Sequence, residues 1–94
     1  MIKNAKAKGT RQEHKSMAWL EARGYKCVRS GGSLGEFDIV AIGEDDILLV
    51  QCKTNRGASP AEREAMKSFP APDNCSKMVH RWDDYAKEPG VRIL

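Results

Sequence analysis

Phe37-Asp38-Ile39-Val40-Ala41-Ile42, then Gly43-Glu44-Asp45-Asp46, then Ile47-Leu48-Leu49-Val50-Gln51-Cys52-Lys53-Thr54 reads as two strands joined by a tight turn. With the turn at 43–46, Ile42 faces Ile47, and continuing the register sets Asp38 opposite Gln51. Side chains alternate along a strand, so Gln51 and Lys53 project from the same face as Asp38, with Val40, Ile42, Ile47 and Leu49 nearer the turn. The other face of the second strand, Leu48, Val50 and Cys52, is apolar. An acid, an amide and an amine thus gather at the open end of an otherwise apolar hairpin. They either solvate that end or form a site.

The flanking sequence supplies the remaining elements. Thr10 and Glu13 form a capping-box pattern that starts a helix, Met17 and Leu20 continue one face of it, and Gly24 closes it. Tyr25–Arg29 reads as a strand and Ser30–Gly35 as a glycine-rich loop. Ser59-Pro60-Ala61-Glu62 is a second capping box with proline at the first helical position. Pro70 and Pro72 stop that helix. Lys77–Trp82 reads as a strand, with Met78, His80 and Trp82 on one side, and Val91–Leu94 as a short closing strand. The order is α-β-β-β-α-β with a possible final strand.

Ninety-four residues, 40% hydrophobic and 31% charged, suit one globular domain. No apolar run approaches the ~20 residues of a membrane span, and no signal-peptide core follows Met1, so a cytoplasmic protein is expected. Cys27, Cys52 and Cys75 form no C-x-x-C pair, which argues against a disulfide framework or thiolate zinc site. The net charge of +3 is carried at the N-terminus. Lys3, Lys6, Lys8 and Arg11 stand there without an acid, whereas residues 12–94 carry one net negative charge. Residues 1–9 read as a basic arm, suited to phosphate contacts or simply solvated.

Asp38 is a hard anionic ligand and Gln51 a neutral amide oxygen, a pairing suited to Mg²⁺ or Mn²⁺ with several retained waters. Lys53 would orient a water or stabilise developing negative charge. Those are the parts of a minimal phosphodiester-hydrolysing site.

An acid on the first helix (Glu13), then Gly32-Ser33-Leu34-Gly35-Glu36-Phe37-Asp38, then Gln51-Cys52-Lys53, resembles the PD-(D/E)XK nuclease superfamily. The likeness spans most of residues 10–82 and is greatest to the small Holliday-junction resolvases and short phage VRR-Nuc relatives. It implies a restriction-endonuclease-like α/β core over residues 10–94, with a mixed central sheet flanked by helices. It also implies a metal-dependent endodeoxyribonuclease, most resembling a resolvase, that leaves 5′-phosphates. By the same resemblance Asp38, Gln51, the Cys52 backbone carbonyl and Glu13 would hold the metal. Lys53 would act on the attacking water, and Ser33 would lie in a loop near the scissile phosphate. Branched DNA and a second copy in a homodimer are the implied partners, with no organic cofactor and a bacterial or phage-infected cytoplasm as the setting.

Gln51 replaces the usual acid and removes one negative charge, as in Mrr-type restriction relatives that also use QxK. Glu13 is read equally as a capping residue or a ligand. Arg56, Arg63 and Lys67, with the basic arm and Arg11, form a candidate DNA track, although Glu62 and Glu64 make a solvated helix face comparable. The rival readings are a nicking, repair or Mrr-like nuclease on flap or duplex DNA, and an inactive DNA-binding module of the same fold.

Overall fold

The computed structural model describes residues 5–94, with side chains from Gly9 onward. Its elements are α1 (Ala5–Glu21), β1 (Lys26–Leu34), β2 (Phe37–Ile42), β3 (Ile47–Thr54), α2 (Pro60–Ser68), β4 (Cys75–Trp82) and β5 (Gly90–Ile93). The strands form one sheet in the order β1-β2-β3-β4-β5. Only the β3–β4 pairing is parallel, so the sheet is mixed and α2 serves as the crossover.

The central hairpin has the expected register from Ile42↔Ile47 to Ile39↔Val50, but the expected pairing of Asp38 with Gln51 is not formed. Leu48, Val50, Ile39 and Ala41 pack with Leu20 and Met78 beneath α1. Leu49 and Val79 pack with Met66 of α2 and with Phe37 on the other face. The molecule therefore has three layers, one helix on each face of the sheet. Phe37 shares the α2-side cluster with Val40, so strict alternation breaks next to Asp38.

Two local expectations are corrected. Thr10 does not cap α1, because the helix runs back through residues 5–9. Alanines and lysines are strong helix formers and carry the helix past that signal. The capping account of Glu13 falls with it. Of the basic arm, residues 1–4 lie outside the described residues and 5–9 are helical. The second correction concerns Ser30–Leu34, which belongs to β1 rather than to a loop. Its register against β2 slips between Arg29 and Leu34, with Gly31 and Gly32 at φ 61° and 87°. This left-handed backbone is open to glycine and strained for other residues, so the glycines permit the bulge.

The rest follows the sequence reading. Gly24 takes φ 97° and ends α1, with the Arg23 and Tyr25 amides both donating to the Leu20 carbonyl. Ser59 caps α2 in a complete capping box, Ser59 Oγ accepting from the Glu62 amide and Glu62 Oε1 from the Ser59 amide. All three cysteines are free and half-buried. No helix among the described residues is long and apolar enough to cross a membrane.

Candidate active site

Past the Ile39–Val50 pair the β2–β3 register ends, and the Cys52 amide donates to Asp38 Oδ2 at 2.8 Å. Asp38 is thereby fixed at the mouth of a cavity of about 490 Å³, lined also by Gly9, Thr10 and Glu13 of α1 and by Arg29, Ser30, Gly31 and Gly32 of β1. Burial raises the Asp38 pKa above the ordinary carboxylate value. The Cys52 amide opposes that shift. Nearby Glu13 and Glu36 add to it, and Lys53 offsets part of it. A half-buried carboxylate beside two further acids is an environment that a cation would relieve.

Gln51 is 4% exposed and donates from Nε2 to Glu36 Oε1 at 3.1 Å. A carboxylate accepts only, so Glu36 selects the amide orientation that turns the Gln51 oxygen away from it. Gln51 Oε1 is buried with no hydrogen-bond partner. Buried amide oxygens are rarely left unmatched, and an oxygen-seeking cation is one such match. Glu36, given no role of its own in the sequence reading, is therefore the group that orients Gln51. Only its proximity to Asp38 in the chain hinted at this.

Lys53 Nζ meets Glu62 Oε2 of α2 at 2.5 Å, with the lysine side chain 13% exposed. The contact with Lys53, aided by the capping-box amide of Ser59, lowers the Glu62 pKa to about 2. One glutamate thus closes the α2 cap and holds the candidate catalytic lysine. Glu13 is held across the cavity by Arg29, whose Nε donates to Glu13 Oε1 at 2.8 Å and whose Nη2 reaches Thr10 Oγ1 at 3.4 Å. Arg29 lines the candidate site, although the sequence reading assigned it only to a strand.

The other candidates separate. Ser33 is exposed on the far half of β1 and does not line the cavity, whereas Ser30 does, its hydroxyl donating to the Phe37 carbonyl. Arg56 is exposed near Glu62, and Lys67 is exposed at the end of α2. Arg63 is committed to the Ala58 carbonyl at 2.6 Å. Arg11 is exposed on α1. Lys3 and the side chains of Lys6 and Lys8 lie outside the described residues.

For a metal, no group of three or more His, Cys, Asp or Glu among the described residues is arranged to hold an ion. The available donors are the Asp38 carboxylate, the unpartnered Gln51 amide oxygen and the Cys52 carbonyl. They are all oxygens and few, which fits a hard divalent cation that keeps much of its water.

A buried network lies on the α1 side of this site. Ser16 is fully buried and accepts from Trp82 Nε1 at 2.7 Å, and its hydroxyl lies 2.9 Å from His80 Nδ1 and 3.4 Å from Cys52 Sγ. Burial pushes the Cys52 thiol up to about 12 and holds His80 down to about 4. Trp82 is thus a core residue.

A mixed sheet between two helices, with Asp38 and Gln51-x-Lys53 meeting where the hairpin opens, defines a nuclease of the PD-(D/E)XK class. A family model described as archaeal Holliday junction resolvase (hjc) matches residues 4–67, and the chain belongs to that family. The solved structure of Hjc from Archaeoglobus fulgidus, described as a Holliday junction resolvase from an archaeal hyperthermophile, superposes with a TM-score of 0.72 at 24% identity. The match covers 93% of this chain and 71% of that one, a likeness of fold. No curated protein sequence matches.

Proposed function

We propose that the protein is a Mg²⁺- or Mn²⁺-dependent endodeoxyribonuclease that cuts branched DNA as a homodimer in the cytoplasm of a bacterial or phage-infected cell. The observation that carries this reading is the buried, unpartnered Gln51 oxygen next in sequence to Cys52, whose amide holds the Asp38 carboxylate, with Lys53 two residues on. Asp38, Gln51 and the Cys52 carbonyl would hold the ion, with Glu13 reaching it directly or through water. A divalent ion there supplies positive charge to the scissile phosphate and makes water more acidic.

The chain's own groups do the rest. Glu62 holds the Lys53 ammonium in place, so Nζ donates to the attacking water or to the oxygen that gains charge during attack. Arg29, on the cavity wall, offers a planar cation to a phosphate oxygen. Ser33, on the same glycine-rich strand, would meet the strand being cut. Lys3, Lys6, Lys8, Arg11, Arg56 and Lys67 would neutralise flanking phosphates, Arg63 acting mainly by bracing the loop before α2. Paired nicks on opposing strands require two sites related by two-fold symmetry, the reason for proposing a dimer.

The test is a cleavage panel of four-way junction, flap, duplex and single-stranded DNA, each with Mg²⁺, Mn²⁺ or EDTA. Symmetric nicks confined to the junction, absent in EDTA, are expected. Equal cutting of flap or duplex would remove the junction specificity. Binding without cutting in every lane would overturn the enzyme reading and implicate Gln51.

A further inference from the structure

A second cavity, of about 370 Å³, lies on the other side of the N-terminal half of α1, lined by Arg11, Gln12, Lys15, Asp83, Asp84 and Tyr85. Two of its features are left unsatisfied by contacts within the fold. Gln12 is 5% exposed, yet its Oε1 has no hydrogen-bond partner. Tyr85 is fully exposed and sits at φ 65°, a left-handed conformation uncommon outside glycine, asparagine and aspartate. Strained residues of this kind concentrate at binding and catalytic sites.

The turn that carries Tyr85 is braced on both sides. Ala86 N donates to the Asp83 carbonyl, and Arg81 Nε donates to Asp83 Oδ1 at 2.8 Å. Asn55 exchanges side-chain hydrogen bonds with the Asp84 carboxylate and amide at 3.1 and 2.9 Å. An aromatic ring is therefore held out in water by a fixed turn, on the same cavity as Gln12, whose buried Oε1 has no donor.

We infer that this cavity is a subsite for an unpaired nucleobase of the DNA, with Tyr85 as its stacking platform and Gln12 Oε1 as acceptor for an exocyclic amino group. The inference rests on the DNA reading above and adds to it a site for a base rather than a phosphate. Every base offers a π-face to an aromatic side chain. Adenine, cytosine and guanine carry an exocyclic amine, and thymine does not. Asp83 and Asp84 make the cavity unfavourable for a bare anion, while Arg11 and Lys15 at its rim suit the phosphates on either side of a bound base. Gln12 and Glu13 are neighbours on α1, so the two cavities flank one helix. A helix about 10–12 Å across corresponds to roughly three nucleotides at 3.4 Å each along a strand. The base would lie about that far from the cut.

The test is the affinity of the full chain, in EDTA, for four-way junctions carrying one extra nucleotide at the branch point: adenine, cytosine, thymine or an abasic residue. Wild type should bind the adenine and cytosine junctions on the order of tenfold more tightly than the abasic one. Tyr85→Ala should abolish that difference and Tyr85→Phe preserve it. Gln12→Met should narrow the gap between adenine and thymine. Equal affinity of wild type for adenine and abasic junctions, or an unchanged preference in Tyr85→Ala, would overturn the subsite. Tyr85 touches solvent only, so loss of fold is not expected, and circular dichroism of each variant checks it. If the junction is cut normally but abasic discrimination is absent, only the subsite fails. If no DNA is bound, the nuclease reading fails with it.

Discussion

Gln51 has one hydrogen bond it needs and one oxygen left over, and that asymmetry is set by Glu36. Changing Gln51→Glu would restore the charge usual at this step but set two carboxylates against each other. Without metal the variant should melt below wild type, and Mn²⁺ should raise its melting temperature by more than it raises that of wild type. Thermal scans with EDTA and with Mn²⁺ would show this; equal shifts would remove Gln51 from the metal site. Across the sheet, His80 is neutral and fully buried between Ser16 and the edge of Trp19. Its pKa falls from 6.5 unfolded to about 4 folded, so the unfolded chain binds more protons in that window. Stability should be complete above pH 6.5 and decline as pH falls toward 4. Denaturation midpoints across that range would show it, and a His80→Gln variant should give a flatter profile. Hydrophobic periodicity gives no access to this network. The buried stripe of α1 is Gln12, Ser16 and Leu20, two of them polar, so the pattern pointed instead to Glu13, Met17 and Leu20.

At the scale of elements, the β2–β3 hairpin was readable because alternation and a short acidic turn fix a register from local sequence alone. The glycine-rich half of β1 was not, since its pairing depends on β2 rather than on its own propensities. Nor was the start of α1, where a good cap sequence lies inside a longer helix. In α2 the cap was legible, but its second use was not: Glu62 also grips Lys53, a contact made only once β3 and α2 are packed. Two substitutions separate these uses. Ser59→Ala should cost about 1 kcal/mol of stability with little change in cleavage rate. Glu62→Gln should lower the cleavage rate several-fold more than Ser59→Ala at matched stability. Chemical denaturation and single-turnover cleavage of both variants test the distinction, and equal rates would reduce Glu62 to a capping residue.

Viewed whole, the molecule sets the proposed site where β2 and β3 part, with one cavity on either side of the first half of α1. Its net positive charge is carried by residues 1–11. If these lysines contact phosphates, replacing Lys3, Lys6 and Lys8 together with glutamine removes three contacts. The slope of log affinity against log salt should then shrink by about 2–3, measured on duplex or junction in EDTA. An unchanged slope would leave the N-terminal lysines merely solvated.

The central claim is that Asp38 and Lys53 make this chain a metal-dependent phosphodiesterase. Single-turnover cleavage of a labelled four-way junction in Mg²⁺ tests it most directly, with wild type beside Asp38→Asn and Lys53→Met from the same purification. Wild type should nick the junction, and each variant should lose activity on the order of a hundredfold or more while still binding it in EDTA. Cutting by Asp38→Asn at the wild-type rate would contradict the account.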